Sequence, residues 1–286
     1  MLLQDPSQQV DPLTMLLTPI LMVTIFIIAL ILIRKANLSK KKAYSLSIIS
    51  FIGVGVLLGG RPNPVNAINQ LLINLSPTTS MSIPLFLSSL GVLSIMLASV
   101  IFFSRIFCGY VCPLGSMQEL ASKVNFKLSL KEQKKVKFNF DPPEKILRII
   151  RWIYLGVLGV TAILWGLSVS PFLDPFTGFQ FLTRSSDLVI ISVFFVLGIL
   201  ISGFFLYRPW CRLFCPFGAI SGLISFSRAR YVRTSECTDC GLCERICPSH
   251  AAYRNNTKTE CYYCNRCVEI CPQDAIKYAK ATSTKI

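Results

Sequence analysis

Eight of the chain's twelve cysteines lie near the C-terminus in two runs of identical spacing. Each run reads C-x2-C-x2-C-x3-C-P, the first over Cys237–Pro248 and the second over Cys261–Pro272. In two-cluster bacterial ferredoxins, the cysteine before proline binds the cluster of the other run. The spacing therefore predicts two [4Fe–4S] clusters. Their predicted ligands are Cys237, Cys240, Cys243 and Cys271 for the first cluster, and Cys261, Cys264, Cys267 and Cys247 for the second.

A zinc site is the competing interpretation of so many cysteines. Structural zinc sites usually show two separated C-x2-C pairs, whereas this tail has a triple followed by Cys-Pro, twice. Thiolates that bind metal also require a reducing compartment. The spacing thus favours iron–sulfur clusters and a cytoplasmic tail over zinc or disulfides.

The other four cysteines form a second repeated motif, R-x2-C-x3-C-P-x-G, over Arg105–Gly115 and Arg208–Gly218. Together they supply four thiolates, the ligand number of one [2Fe–2S] or [4Fe–4S] cluster. The residues leave three interpretations open: inert structural cysteines, a redox-active thiol pair, or a third metal or redox site. The residues concerned are Cys108, Cys112, Cys211 and Cys215.

The prolines of this motif predict its local structure. Pro113 and Pro216 disfavour helical geometry at the preceding cysteine and suit the first turn of a new helix. Each motif should therefore span a helix end, a bend and a helix start. Exposed backbone N–H groups at the bend are suited to cluster sulfides. The motif arginines, Arg105, Arg208 and Arg212, would offset the negative charge of a cluster.

The rest of the chain is apolar enough for a membrane protein. Hydrophobic residues make up 52% of the 286 residues. The predicted spans, each near the ~17–25 residues that cross a bilayer, are Leu13–Ile33, Ala43–Gly60, Ile83–Ser104, Trp152–Val169 and Leu188–Leu206. The net charge of +15 comes from basic residues beside these spans, so it indicates anionic membrane lipid rather than nucleic acid as a partner.

The basic residues also predict the orientation of the spans. Lysine and arginine concentrate in the loops after the first, third and fifth spans, and basic loops face the cytoplasm. The N-terminus is then outside. The second and third spans lead to the first motif and the fourth and fifth to the second, which predicts a parallel repeat.

These patterns predict a mainly α protein of two domains in the cell's inner (cytoplasmic) membrane. Residues 1–226 would form a five-span transmembrane helical bundle that contains a parallel two-helix repeat. Residues 227–286 would form a small α+β ferredoxin domain of the bacterial 2[4Fe–4S] type in the cytoplasm. One histidine, His250, excludes a bis-histidine haem, and no nucleotide-binding glycine motif is present.

The order of spans, FCGYVCPLG (Phe107–Gly115), WCRLFCPFG (Trp210–Gly218) and two terminal ferredoxin runs resembles the NapH/NosR-type membrane iron–sulfur proteins. The resemblance covers nearly all of Ala43–Ala279 and is nearer to the short NapH form. It implies electron transfer between the quinone pool and other redox subunits of a respiratory complex. The chain would then be an electron-transfer subunit of a quinol dehydrogenase-type oxidoreductase.

A quinone site and a different function complete the sequence-based hypotheses. The outer loop Ser170–Gln180 is apolar with few polar groups, as quinone pockets are, and Asp174 within it would accept a quinol proton. An aspartate before proline is also a common turn former. The alternative function is an assembly or maturation factor for a respiratory metalloenzyme, which would reduce a metal or dock the partner enzyme.

Overall fold

The computed structural model describes residues 12–35, 38–77, 82–131, 142–166, 174–182, 187–224, 229–254 and 260–280. The N-terminal acidic residues, residues 170–173 of the outer loop and the predicted domain junction at 226/227 lie outside these ranges.

The described chain is mainly α-helical, as predicted. The helices of the apolar part are α1 (Pro12–Arg34), α2 (Lys40–Ile49), α3 (Pro64–Asn74), α4 (Ile83–Phe103), α5 (Pro113–Lys131), α6 (Glu144–Trp165), α7 (Asp187–Ser202), α8 (Pro209–Leu213) and α9 (Pro216–Ile224). Two π-helical segments, Ser50–Leu57 and Phe107–Val111, and a 3₁₀ helix, Thr177–Leu182, interrupt them.

Three of these helices are long and apolar enough to cross a membrane. They contain the segments Leu17–Arg34, Ile83–Phe103 and Glu144–Trp165. Large apolar side chains on them face outward, such as Ile95, which is 73% exposed, and Ile153, which is 60% exposed. Such exposure is costly in water and expected in lipid, so the chain is a membrane protein with these three helices as its candidate spans.

The other two predicted spans take different forms. The second is α2 followed by the π-helical segment Ser50–Leu57. The fifth, α7, has 16 residues, about 24 Å at 1.5 Å per residue, which is short of a hydrocarbon core of ~30 Å. The mainly helical architecture is confirmed, while five spans and the parallel repeat stay predictions.

Segments expected in outer loops fold back among the helices. Asn63 caps α3 by accepting hydrogen bonds from the backbone N–H of Val65 (2.9 Å) and of Asn66 (3.3 Å), and α3 packs against α4 and α6. The 3₁₀ helix packs against α7 and the first π-helical segment. A Cβ on Gly55 would lie 3.0 Å from Cβ of Pro113, so the first π-helical segment touches the first cysteine motif.

The C-terminal tail is a two-stranded antiparallel sheet with two short helices. Strand β1 (Ala229–Arg233) pairs with β2 (Ile276–Lys280) so that Tyr231 is opposite Tyr278. Between the strands lie α10 (Leu242–Ile246) and α11 (Arg266–Ile270). The sheet brings the beginning and the end of the cysteine-rich segment together, which is what an exchange of fourth cysteines between the runs requires.

Candidate iron–sulfur sites

The two cysteine runs of the tail share one backbone conformation. Gly241 (φ 70°) and Asn265 (φ 67°) precede α10 and α11 and lie in the left-handed region, which non-glycine residues rarely adopt. They occupy equivalent positions in the two runs. This turn puts the third cysteine of each run, Cys243 or Cys267, in the first turn of a helix.

A cavity of about 290 Å³ marks the first predicted cluster site. Its lining includes Cys237, Cys240, Cys243 and Cys271. The backbone N–H of Ala275 donates to Cys271 Sγ (3.4 Å) and Arg233 Nη2 donates to Cys243 Sγ (3.3 Å). Cys240 is exposed, so this site opens to solvent.

The second predicted site has a smaller cavity. A cavity of about 50 Å³ is lined by Cys247, Cys261, Cys264 and Cys267, together with Cys243 of the first site. The backbone N–H of Ala252 donates to Cys247 Sγ (3.4 Å). Burial raises the pKa of the Cys267 thiol well above its usual value, and Cys264 and Cys261 raise it further.

No three histidine, cysteine or acidic side chains converge tightly enough to bind a single metal ion within the ranges that the structure describes. A single zinc ion would hold every sulfur at about 2.3 Å. An iron–sulfur cubane instead bonds each cysteine to a different iron, so its ligands stand further apart.

The membrane cysteine motifs have the bent geometry predicted from their prolines. Cys108 lies in the second π-helical segment, and Cys112 is extended (φ −67°, ψ 117°) directly before α5. In the other motif Cys211 lies in α8 and Cys215 directly precedes α9. At the second bend the backbone N–H of Gly218 donates to Cys215 Sγ (3.3 Å).

All four membrane cysteines lie near one another. Burial raises the pKa of the Cys108 thiol to about 11, with Arg105 opposing the rise and Cys211 adding to it. Burial likewise raises the pKa of Cys112, and Cys211, Cys108 and Cys215 add to that rise. The two motifs thus form one thiol-rich site, which we call the membrane cysteine site.

Crossed arginines tie the two membrane motifs together. Arg208 of the second motif donates from Nη1 to the carbonyl oxygen of Cys108 (2.8 Å). Arg105 of the first motif donates from Nη2 to the carbonyl oxygen of Gly218 (3.1 Å). A Cβ on Gly115 would lie 2.3 Å from that Cys108 oxygen, so glycine is needed for the chain to close here.

Glu260, a tail residue, joins two arginines of the membrane part. Its carboxylate accepts two hydrogen bonds from Arg105 (3.0 and 3.1 Å), one from Arg151 (2.9 Å) and one from the Tyr262 hydroxyl (3.0 Å). Burial by itself raises the pKa of Glu260, but Arg105 and Arg151 outweigh it and lower the pKa to about 2. The carboxylate is therefore ionised at neutral pH.

Glu119 on α5 plays the matching part for the second motif. It accepts hydrogen bonds from Arg208 (3.0 Å), Arg266 (3.0 Å) and the Tyr207 hydroxyl (2.8 Å). Burial raises its pKa, but Arg266 and Arg208 lower it to about 2. Because Arg266 belongs to the tail, both carboxylates join the tail to the membrane cysteine motifs.

Backbone contacts seat the second cysteine run directly on the first membrane motif. A Cβ on Gly109 would lie 2.5 Å from the carbonyl oxygen of Tyr262. The Tyr110 hydroxyl donates to the carbonyl oxygen of Tyr263 (2.7 Å), and Asn265 Nδ2 donates to that of Leu38 (2.6 Å). The second tail site is therefore next to the membrane cysteine site, and the first tail site adjoins the second, because Cys243 lines both cavities.

Asp174 is buried inside the bundle, with 3% exposure. Its carboxylate accepts hydrogen bonds from the backbone N–H of Phe176 (3.0 Å), as in an aspartate turn, and from Asn63 Nδ2. Burial raises its pKa to about 6 against those two hydrogen bonds. Tyr154 on α6 interacts electrostatically with both Asp174 and Cys215. The aspartate turn is thus present, and its carboxylate is buried.

Sequence reasoning missed Glu119, Glu260, Arg151 and Gln118. Gln118 Nε2 donates to Cys211 Sγ (3.5 Å) and its Oε1 accepts from the backbone N–H of Trp210 (3.1 Å). The available signal was the scarcity of acidic residues, 14 against 29 basic ones. Arg212, predicted to offset cluster charge, is buried, and its terminal nitrogens have no hydrogen-bond partner among the described residues.

Family models for iron–sulfur binding match the segments that contain the twelve cysteines. One described as a 4Fe-4S binding domain matches twice, at residues 85–131 and 188–233, each time around one membrane motif. A second 4Fe-4S binding domain matches residues 230–253, and an LdpA Fe-S cluster-binding domain matches residues 242–282.

The curated relatives include proteins named as ferredoxin-type proteins. The chain is 27% identical to the ferredoxin-type protein NapH of Haemophilus influenzae over 189 residues, 64% of this chain and 61% of the relative. It is 26% identical to the methylamine utilization ferredoxin-type protein MauN of Methylorubrum extorquens over 172 residues, which are 58% of this chain and 55% of that relative. The chain spans about half the length of the curated relatives it matches. No solved structure matches.

Proposed function

We propose that this NapH-like, ferredoxin-type iron–sulfur protein carries electrons between a redox site in the membrane and a partner protein. The observation that carries the proposal is the direct seating of the second tail site on the membrane cysteine site, through Glu260 and Glu119. Relatives named ferredoxin-type proteins support electron transfer through iron–sulfur clusters. The partner would be another redox subunit.

The cofactors of the proposal are three clusters in series. Cys237, Cys240, Cys243 and Cys271 would hold the first tail cluster. Cys261, Cys264, Cys267 and Cys247 would hold the second, and Cys108, Cys112, Cys211 and Cys215 would hold a third. The grouped thiols, and the backbone N–H groups that donate to Cys215, Cys247 and Cys271, fit such clusters. Bound clusters would supply one-electron redox centres.

The positions of the sites set the order in which electrons would pass them, in either direction. The second tail site contacts the membrane cysteine site, and the first tail site has the exposed Cys240. Electrons would therefore enter or leave the protein at Cys240, with the second cluster as the intermediate. The tail, residues 227–286, would face the cytoplasm and the N-terminus the outside.

A quinone is the proposed redox partner on the membrane side. Asp174 is buried beside an apolar 3₁₀ helix, and its pKa of about 6 suits exchange of a proton near neutral pH. Its electrostatic link through Tyr154 to Cys215 connects this region to the membrane cysteine site. Arg61 near the same helix donates to Gln180 Oε1 (3.1 Å).

The proposal is tested by adding quinol to the chain in liposomes and measuring whether the clusters become reduced. We expect quinol to reduce the clusters, and Asp174→Asn to slow this step more at pH 7 than at pH 5. If neither quinol nor quinone changes the redox state of the clusters, even with partner subunits added, the quinone role is refuted. A gene deletion that removes metal from a partner enzyme while its electron supply persists would instead favour the assembly function.

A further inference from the structure

We propose that Glu260, although it belongs to the tail, is a positioning residue for the membrane cysteine site and that its charge helps set the redox potential there. This inference rests on the proposed function, because it assigns a cluster to that site. It concerns how the tail controls the membrane site, which neither the cysteine spacing nor the relatives address.

The hydrogen bonds of the two arginines carry the positioning part of the inference. Arg105 and Arg151 both bind Glu260, and each uses a second hydrogen bond to hold the backbone of the second cysteine motif. Arg105 Nη2 reaches the carbonyl oxygen of Gly218 (3.1 Å), and Arg151 Nη1 reaches that of Cys211 (3.2 Å). Glu260 therefore fixes both ends of the segment that carries Cys211 and Cys215.

Because Arg105 and Arg151 are buried, they depend on the carboxylate of Glu260 as their partner. Arg105 and Arg151 are 1% and 3% exposed, and Glu260 is 3% exposed. Buried guanidinium groups without a carboxylate are strongly unfavourable. The tail therefore has to be docked for Arg105 and Arg151 to be held in place, so that docking of the tail and closure of the membrane site are coupled.

The charges of Arg105, Arg151 and Glu260 carry the electrostatic part of the inference. Two guanidinium groups and one carboxylate leave one net positive charge beside the membrane cysteine site, and Glu260 directly precedes Cys261 of the second tail site. Net charge and hydrogen bonding are among the factors that set cluster potentials. Positive charge favours the reduced, more negative cluster, and a buried charge is poorly screened.

Two variants with opposite charge changes separate this role from simple docking. Glu260→Gln removes the negative charge, so we expect higher midpoint potentials for the membrane-site cluster and the second tail cluster. Arg151→Gln removes one positive charge and leaves the Arg105–Glu260 pair intact, so we expect lower potentials. Glu244→Gln is the matched control, because Glu244 pairs with Arg233 (2.8 Å) at the first tail site. It should raise the potential of that cluster alone.

The experiment is a redox titration followed by EPR on the purified full chain, with iron counted in each sample. Shifts of opposite sign in the two network variants, confined to the two neighbouring clusters, support the proposal. Loss of membrane-site iron in Glu260→Gln with both tail clusters retained also supports it. Unchanged midpoints in fully loaded variants, or equal shifts of all three clusters, overturn it. A wild-type protein without a membrane-site cluster refutes the proposed function itself, before any variant is compared.

Discussion

Replacing Gly109 with alanine should loosen the tail from the membrane part. The new Cβ would stand 2.5 Å from the carbonyl oxygen of Tyr262, where ordinary contact begins at 3.4 Å. That oxygen is backbone, and the next residue is held by the Tyr110 hydroxyl. The tail would therefore have to retreat by about 1 Å, since overpacking is relieved by backbone shifts.

The expected cost follows from the size of the clash. Overpacking of a closely fitted contact costs about 1–3 kcal/mol. If that cost falls on docking, the fraction of molecules with an undocked tail rises about 5- to 150-fold, at tenfold per 1.4 kcal/mol. Cleavage of the undocked tail should rise by the same factor. Electron exchange between the membrane site and the second tail cluster should also slow, because the retreat of the tail lengthens the gap between the two sites.

Limited proteolysis of the full chain and stopped-flow reoxidation of the clusters measure the two effects. Gly156→Ala and Gly91→Ala are the matched controls, because a Cβ at either glycine meets nothing within 4 Å. We expect faster cleavage of the tail and slower reoxidation of the inner cluster in Gly109→Ala alone. Identical cleavage and reoxidation rates in Gly109→Ala and the two controls would show that the contact does not hold the tail.

Three further predictions concern the sites separately. Cys271→Ser should alter the EPR signal of the solvent-open first cluster and Cys247→Ser that of the second, and the reverse assignment would refute the exchange of fourth cysteines. Burial raises the pKa of Asp174 to about 6, so its protonated form favours folding and the wild type should lose about 3 kcal/mol as pH rises from 4 through 6. Thermal unfolding should show this loss in the wild type but not in Asp174→Asn, and parallel profiles would contradict it. Glu119→Gln leaves buried arginines unpaired and should cost about 3–5 kcal/mol, against about 0–1 kcal/mol for Glu144→Gln at a partly exposed pair; equal losses of melting temperature would be inconsistent with the buried network.

The parts of the fold that the sequence predicted are those specified by local pattern. The cysteine runs, the bends at Pro113 and Pro216 and three long apolar helices all follow from residues close together in the chain. Helix α3 also had a local signal, since Asn63 is a good N-cap and Pro64 suits the first helical turn. The predicted orientation of the spans instead places this segment in an outer loop.

The parts that sequence reasoning missed depend on distant partners. Arg105 and Glu260 are 155 residues apart and Arg208 and Glu119 are 89 apart. Nothing in the local pattern of either glutamate indicates which arginine will meet it, or that it will be buried. The second predicted span continues from α2 into π-helical turns instead of one regular helix, at a point where Ser50 donates to the carbonyl oxygen of Val111 (2.8 Å). That contact too joins segments far apart in sequence.

Iron and acid-labile sulfide counted together with an EPR redox titration of the purified wild-type chain test the central claim most directly. The account predicts about twelve iron atoms per chain and three titrating clusters, falling to about eight and two when Cys112 and Cys215 are both replaced by serine. About eight iron atoms in the wild type, with no change in the double variant, would contradict a cluster at the membrane cysteine site.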